Sequence, residues 1–374
     1  MTKILALSVA VLCALPGLAR AQEAVSPERQ LANGWVKLAS GSPAEALQIG
    51  DDLMRQNLLV HRALQLAVTA EVQLGRVDHA LDRYERWMTP RRPEDVYLLA
   101  EIALGRLREL AASTDPQVQA EAAALLAQER LTPVGGPAPA AASGPAIDAA
   151  LARAGDVDAA MRLTDRLSQP MGAEATFVLQ AIGDARVRNA APGVRTLLAS
   201  PDPAIRAVAA QALGKVGGTE DVPRLRELAK DRFPFVQASA TVALSQLGDA
   251  GAREGVDALL RSGAGELRLM AAEALGMAEV TRWSPAVTEL LTNENLLVRV
   301  QAALLLSRAG VDVPGAQNTL IQAMGGDNPI LREQAAAAFS EGPGADPLLL
   351  RKMLRDADGR VVLRGVRGLL ALVR

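Results

Sequence analysis

Aromatic residues are nearly missing from this chain: 3 Trp, 2 Tyr and 4 Phe among 374 residues. A β-sandwich core draws on aromatic and β-branched side chains, so this composition argues against one. Histidine is scarcer still. His61 and His79 are the only two, and neither belongs to a His-x-x-x-His or Glu-x-x-His frame, so the usual metal and catalytic-histidine chemistries have no donor set. Both are expected at the surface. There is one cysteine, Cys13. No charge of either sign dominates: 40 basic residues face 42 acidic ones, a net of −2, and nothing electrostatic favours a nucleic acid. A phosphate-binding Gly-x-x-x-x-Gly-Lys-Ser/Thr loop and a Gly-x-Ser-x-Gly elbow are both absent from the sequence. Gly214-Lys215-Val216-Gly217 lacks the first frame and reads as the end of a helix.

One apolar run does stand out. Met1 to Ala21 has a short basic start at Lys3, an apolar stretch from Ile4 to Leu15, a break at Pro16-Gly17 and a small-residue cleavage site at Ala19-Arg20-Ala21. This predicts a secretory signal peptide over 1–21 and hence export, with the periplasm as the expected address and secretion as the alternative. The run is too short to span a bilayer, so no direct membrane insertion is expected after cleavage. Cys13 lies mid-run, not at a lipoprotein cleavage position. The mature chain would have no cysteine and, without Lys3 and Arg20, 38 basic against 42 acidic residues.

What the chain has in abundance is repetition. Asp202 is a helix N-cap, Pro203 suits the first helical position, and Ile205, Val208, Ala209, Ala212 and Leu213 form an i, i+3, i+4, i+7, i+8 stripe. Gly214 and Gly217 then supply stop signals. The stripe returns every 31 residues: Ile205 becomes Val236, Leu267 and Val298, while Leu213 becomes Leu244, Leu275 and Leu306. Looser copies run from Leu331 to Phe339 and from Val361 to Leu369. Small residues recur too, as Ala209, Ala240 and Ala271, which lets neighbouring helices approach closely. A second column, Leu197, Leu228, Leu259, Leu290, Ile321 and Leu354, marks a partner helix per unit. Pro192, Pro223 and Pro285 are placed like its helix starts. A single hairpin of this kind cannot bury its own apolar faces, so successive hairpins must stack into a curved rod.

The pattern Asp202/Ile205/Arg206/Ala209/Ala212/Leu213 and its copies resemble HEAT repeats in their short bacterial, phycobilisome-lyase-type form. The resemblance covers 173–374, with a stray copy in 94–130 at Asp115-Pro116-Gln117-Val118. It implies an all-α solenoid of antiparallel helix hairpins. Residues 22–93 repeat differently: Gly41, Ala46 and Leu47 recur 34 residues later as Gly75, Ala80 and Leu81. That period, with Trp35-x-x-Leu38 and Pro93, resembles tetratricopeptide hairpins. Residues 131–146 are Pro-, Gly- and Ala-rich and read as a linker. Gly155 to Met161 echoes Gly75 to Leu81, a truncated tetratricopeptide-like hairpin over 147–172.

The most regular polar feature is an arginine column: Arg206, Arg268, Arg299 and Arg332, with Gln237 standing in once. Each sits near the start of a second helix, beside a cap column of Asp202, Asn295 and Asn328. The resemblance implies an Asp/Asn–Arg ladder between repeats; a cationic track for an acidic ligand is the alternative. Trp35 and Trp87 lie at helical spacing and read as core. Trp283 is expected in a turn between repeats, as an exposed contact. The expected function is non-catalytic binding of a protein partner on the concave face, through Arg206, Gln237, Arg268, Arg299, Arg332 and Trp283, with no cofactor. The alternatives are a cofactor-handling protein of the bilin-lyase type and a structural subunit of an envelope assembly. The repeats lack the histidines of deoxyhypusine hydroxylase, another HEAT-like family.

Overall fold

The computed structural model describes residues 25–88, 93–128, 144–153, 155–168, 174–341 and 345–374. The signal-peptide segment and most of the linker lie outside the described residues. Those described form helices, turns and short 3-10 segments, with no strand among them. They divide into two units, 1–84 and 85–374.

The first unit holds α1 (Pro27–Ala39), α2 (Pro43–Arg55), α3 (Val60–Gln73) and most of α4 (Val77–Trp87). Leu31, Leu38, Ala46, Leu53, Ala63, Leu66 and Ala70 make its core, with Trp35 half-buried against it. Gly41 and Gly75, 34 residues apart, both take left-handed φ, at 82° and 70°. Each follows a helix, and a side chain there would be strained. Arg83 ties α4 to α3 by a two-pronged bond to Glu71, at 3.0 and 2.8 Å. His61 and His79 are exposed.

The second unit begins with α5 (Val96–Leu110), α6 (Pro116–Gln128), α7 (Pro145–Arg153), α8 (Val157–Arg166) and α9 (Ala175–Asp184). Six hairpins follow. Their short first helices are α10 (Ala191–Leu197), α12 (Val222–Leu228), α14 (Arg253–Leu260), α16 (Val280–Thr288), α18 (Pro314–Met324) and α20 (Pro347–Met353). Their longer second helices are α11 (Pro203–Val216), α13 (Pro234–Gln246), α15 (Gly265–Leu275), α17 (Leu296–Arg308), α19 (Pro329–Glu341) and α21 (Gly359–Leu372). Caps open the second helices where the sequence placed them: Asp202 Oδ1 accepts from the Ala204 amide at 2.8 Å and Asn295 Oδ1 from Leu297 at 3.0 Å.

Second helices pack on one another in succession, α9 through α21, while each first helix packs on its own partner or, for α16 and α18, more on the second helix before it. Close stacking on one side and splaying on the other bends the pile with the second helices inside. These helices are therefore buried on several sides, not on one stripe. In α11, Ala207, Ala209, Ala210, Ala212, Leu213 and Val216 are buried, whereas Ile205 and Val208 are only half-buried. Gly214 does not stop α11. It lies inside the helix, where a Cβ would come within 2.8 Å of the Ala243 Cα, so the glycine permits close approach of α13. Gly217 is the cap. Two other expectations are corrected. Pro285 sits inside α16, not at its start. Ile321 is exposed and Leu320 and Ala323 take the core positions, because the repeat there is two residues longer: Val287 and Leu320, like Arg299 and Arg332, are 33 apart.

The rod does not stay open. The last helix, α21, packs on α5 and α6; α6 packs on α7, and α7 on α9. Arg106 Nε donates to the Leu354 carbonyl at 3.1 Å, Arg351 pairs with Glu94 at 3.2 Å and Arg355 with Glu85 at 2.6 Å. Glu121 on α6 faces Arg153 of α7 at 3.6 Å and Arg367 of α21 at 3.8 Å. The second unit is thus a solenoid whose two ends meet. Among the described residues no helix is long and apolar enough to cross a membrane.

Candidate protein-binding face

Each arginine of the column starts one residue past the first core position of a second helix, so its guanidinium lies over the preceding turn. Arg206 Nη1 donates to the carbonyls of Ser200 and Pro201 at 2.8 and 3.1 Å, and Nε and Nη2 grip Asp231 of the next repeat at 2.8 and 3.0 Å. The Phe233 ring stacks 5.7 Å from the same guanidinium. Arg332 repeats this with the carbonyls of Gly326 and Asp327 and the Asp356 carboxylate. Arg268 reaches the Ser262 carbonyl and Glu289 at 2.7 Å, and Arg299 the carbonyls of Asn293 and Glu294. Gln237 Nε2 donates to the Asp231 carbonyl at 2.5 Å. Carbonyls and carboxylates answer the positive charge that would otherwise oppose the helix dipole.

This is an inter-repeat ladder, but its acidic rungs are not the expected cap column. Asp202, Asn295 and Asn328 cap their own helices; the rungs come from Asp231, Glu289 and Asp356. The side chains of Arg206 and Arg332 are only 11% and 16% exposed. The column therefore lies between repeats with its donors engaged, off the inner surface.

A second ladder, between first helices, escaped the sequence analysis. Arg195 holds the fully buried Asp221 through Nε and Nη2, Arg226 holds Asp249 at 3.0 and 2.8 Å, and Asp257 accepts from Arg282 with the charges exchanged. Positions 195, 226 and 257 are 31 apart, so a period search over charges of either sign would have found it. Burial pushes the Asp221 carboxyl up, but the Arg195 bond and the Gly218 amide outweigh it, and the net shift is downward.

Trp283 is corrected outright. It is fully buried in α16, with Nε1 donating to the Gly276 carbonyl at 2.9 Å. Its slot was legible: Ala190, Asp221, Ala252 and Trp283 are spaced by 31 and all are buried.

The exposed and half-buried inner positions follow a different stripe, offset from the core stripe by one residue. On α11 it reads Ala204, Val208, Gln211 and Lys215; on α15, Glu266, Met270 and Glu273, with Met277 just past the helix end; on α17, Leu297, Gln301, Leu304 and Arg308. Phe177 and Asp184 of α9, Phe235 of α13 and Ile330 of α19 continue it. Lys215 Nζ binds Asp184 at 2.6 Å, one repeat back. Glu273 is exposed to water, yet burial by the surrounding protein pushes its carboxyl up. Lys215 and Arg308 counter that shift, and Asp184 adds to it. Asp184 and Glu273 stand three repeats apart, so the inner face is tightly curved.

Helical hairpins stacked in this way define an all-α solenoid of the kind used for protein interaction. Residues 160–245 and 253–340 match the model of HEAT repeats, so this stretch is similar to the HEAT-repeat family. A comparison with curated proteins finds no match.

Proposed function

We propose that the protein is an exported, non-catalytic scaffold that holds a protein partner on the inner face of its second unit, with tetratricopeptide-type hairpins in the first. The inner stripe carries this reading. It offers exposed apolar side chains (Phe177, Phe235, Met277, Leu297 and Ile330) among amides and charges, on helices already fixed by their neighbours. A preformed face loses little conformational entropy on docking, and apolar anchors within a polar surround are what protein interfaces use. The signal-like start at Met1 to Ala21 supports export. The arginine column would act indirectly, by holding repeat against repeat.

The test is a photo-crosslinking amino acid at Leu304 on the inner stripe, with Glu254 at an exposed position on α14 as control. In envelope fractions, a discrete protein adduct at 304 and none at 254 is the expected result. A stoichiometric chromophore or metal in the purified protein would replace this reading by a cofactor-handling one.

A further inference from the structure

We infer that the closed second unit is two half-rings that open on a hinge between α13 and α14–α15, with the lips between α6 and α7. The inference concerns the free protein, so it stands or falls apart from the partner reading above.

Two kinds of tie join one hairpin to the next: a shared apolar core and the ionic rungs. A cluster of buried apolar side chains runs from Ala149 to Ala252, and a separate one from Val256 to Ala338. Val236, Ala240 and Leu244 of α13 belong to the first, Leu269 and Ala272 of α15 to the second. The boundary falls at the start of α14. The base rung is missing at the same joint. Arg206 grips Asp231, 25 residues on, and both side chains are only 11% exposed. The equivalent pair one repeat later is Gln237 and Ser262. Gln237 turns back to the Asp231 carbonyl, and Ser262 only accepts from the Ala264 amide at 3.1 Å. What remains is Arg226–Asp249, whose arginine is 59% exposed; pairs so open to water contribute little. Accordingly, α13 packs on α15 less extensively than α11 packs on α13. Gly248, in the turn after α13, has a left-handed φ of 81° and nothing within 4 Å of where a Cβ would stand, so the backbone can turn there.

The later joints keep at least one of these ties. Arg299 finds only carbonyls, so α17 and α19 lack a carboxylate rung, but they share the second cluster. The helix α21 lies outside that cluster, but Arg332–Asp356 and Arg364–Glu333 tie it to α19. Packing between α15 and α17 is sparse, yet they share a core and the rungs Asp257–Arg282 and Arg268–Glu289.

A closed ring bends at one joint only if a second gives. The α5–α6 hairpin and the residues leading into it are held to α20–α21 by Arg351–Glu94, Arg355–Glu85 and the Arg106 bond to the Leu354 carbonyl. Between α6 and α7, among the described residues, the one polar contact is Glu121–Arg153, at 3.6 Å. No side chain of α6 belongs to the cluster that α7 shares with α13. Hinge and lips therefore divide the ring into α7–α13 on one side and α14–α21 with α5–α6 on the other, each free to turn as a body.

The experiment is double electron–electron resonance on the full chain, with Cys13→Ser so that introduced cysteines are the only thiols. All labels sit at exposed positions. Arg188 with Asn318 spans the hinge; Arg188 with Arg224, and Thr281 with Asn318, each stay within one half. The spanning pair should give a distance distribution about twofold or more broader than either control. Ala127 with Asp158, across α6 and α7, should be as broad, and Ala127 with Ala371 as narrow as the controls. The double variant Gln237→Arg, Ser262→Asp supplies the missing rung. It should narrow the spanning pair to the width of the controls, with a thermal transition no lower than the parent's. A spanning pair as narrow as the controls in the parent protein would overturn the hinge, whatever the variant does. A pair that stays broad in the folded variant would overturn the role of the missing rung. A narrow Ala127–Asp158 pair would overturn the placing of the lips.

Discussion

At the scale of single residues, this protein uses aromatic side chains sparingly and divides them: Trp283 and Tyr84 are fully buried, while Tyr97, Phe177 and Phe235 are exposed. Trp283 fills a position that Ala190 and Ala252 hold in neighbouring repeats, and no other side chain can replace its volume. Trp283→Ala should cost about 3–5 kcal/mol in a denaturant titration, since it opens a large cavity and orphans the Gly276 carbonyl. A loss near zero would mean that the tryptophan lies at the surface. Glu273 carries the opposite lesson. Its folded pKa is raised by burial, so the folded state holds its proton more tightly than the unfolded chain. Stability is then greatest below the unfolded pKa and declines as pH rises through the folded one. Glu273→Gln should raise the thermal midpoint at pH 7 and leave it unchanged near pH 3; a midpoint that falls at pH 7 would show a favourable ion pair instead.

At the scale of elements, the unit of stability is the joint between hairpins. Two ladders cross these joints at different depths, one at the base of the second helices through Arg206, Arg268 and Arg332, and one between first helices through Arg195, Arg226 and Arg282. The exchanged rung is the most informative. Asp257→Arg and Arg282→Asp should each destabilise, since each leaves two like charges together in a partly buried site. The double exchange should recover most of the loss, with a coupling of about 0.5–3 kcal/mol in a double-mutant cycle. Strict additivity of the two losses would mean that the rung contributes nothing. The base ladder was half legible: the arginines were visible at a fixed spacing, but their carboxylate partners sit at 21 to 25 residues on and vary between Asp and Glu. Only packing brings them together.

At the scale of the second unit, closure is the main finding. Gly359 opens α21 where it meets α6, and a Cβ there would lie 2.9 Å from a Val118 methyl. Gly359→Leu should push the two ends apart. Amide exchange in 96–110 and 359–372 should then speed up together while 234–246 stays protected. Unchanged exchange in both segments would show that the ends meet without supporting each other.

The repeat of 31, the caps, the small-residue column and the all-helical fold were fixed by local chemistry: apolar spacing, helix starts and side-chain volume are properties of neighbouring residues. Tertiary structure alone decided that the ends meet, that Glu121 is shared between α7 and α21, and which exposed stripe faces inward. Those depend on the small rotation from each hairpin to the next. No single repeat encodes that rotation; its effect appears only when it has accumulated over the whole stack.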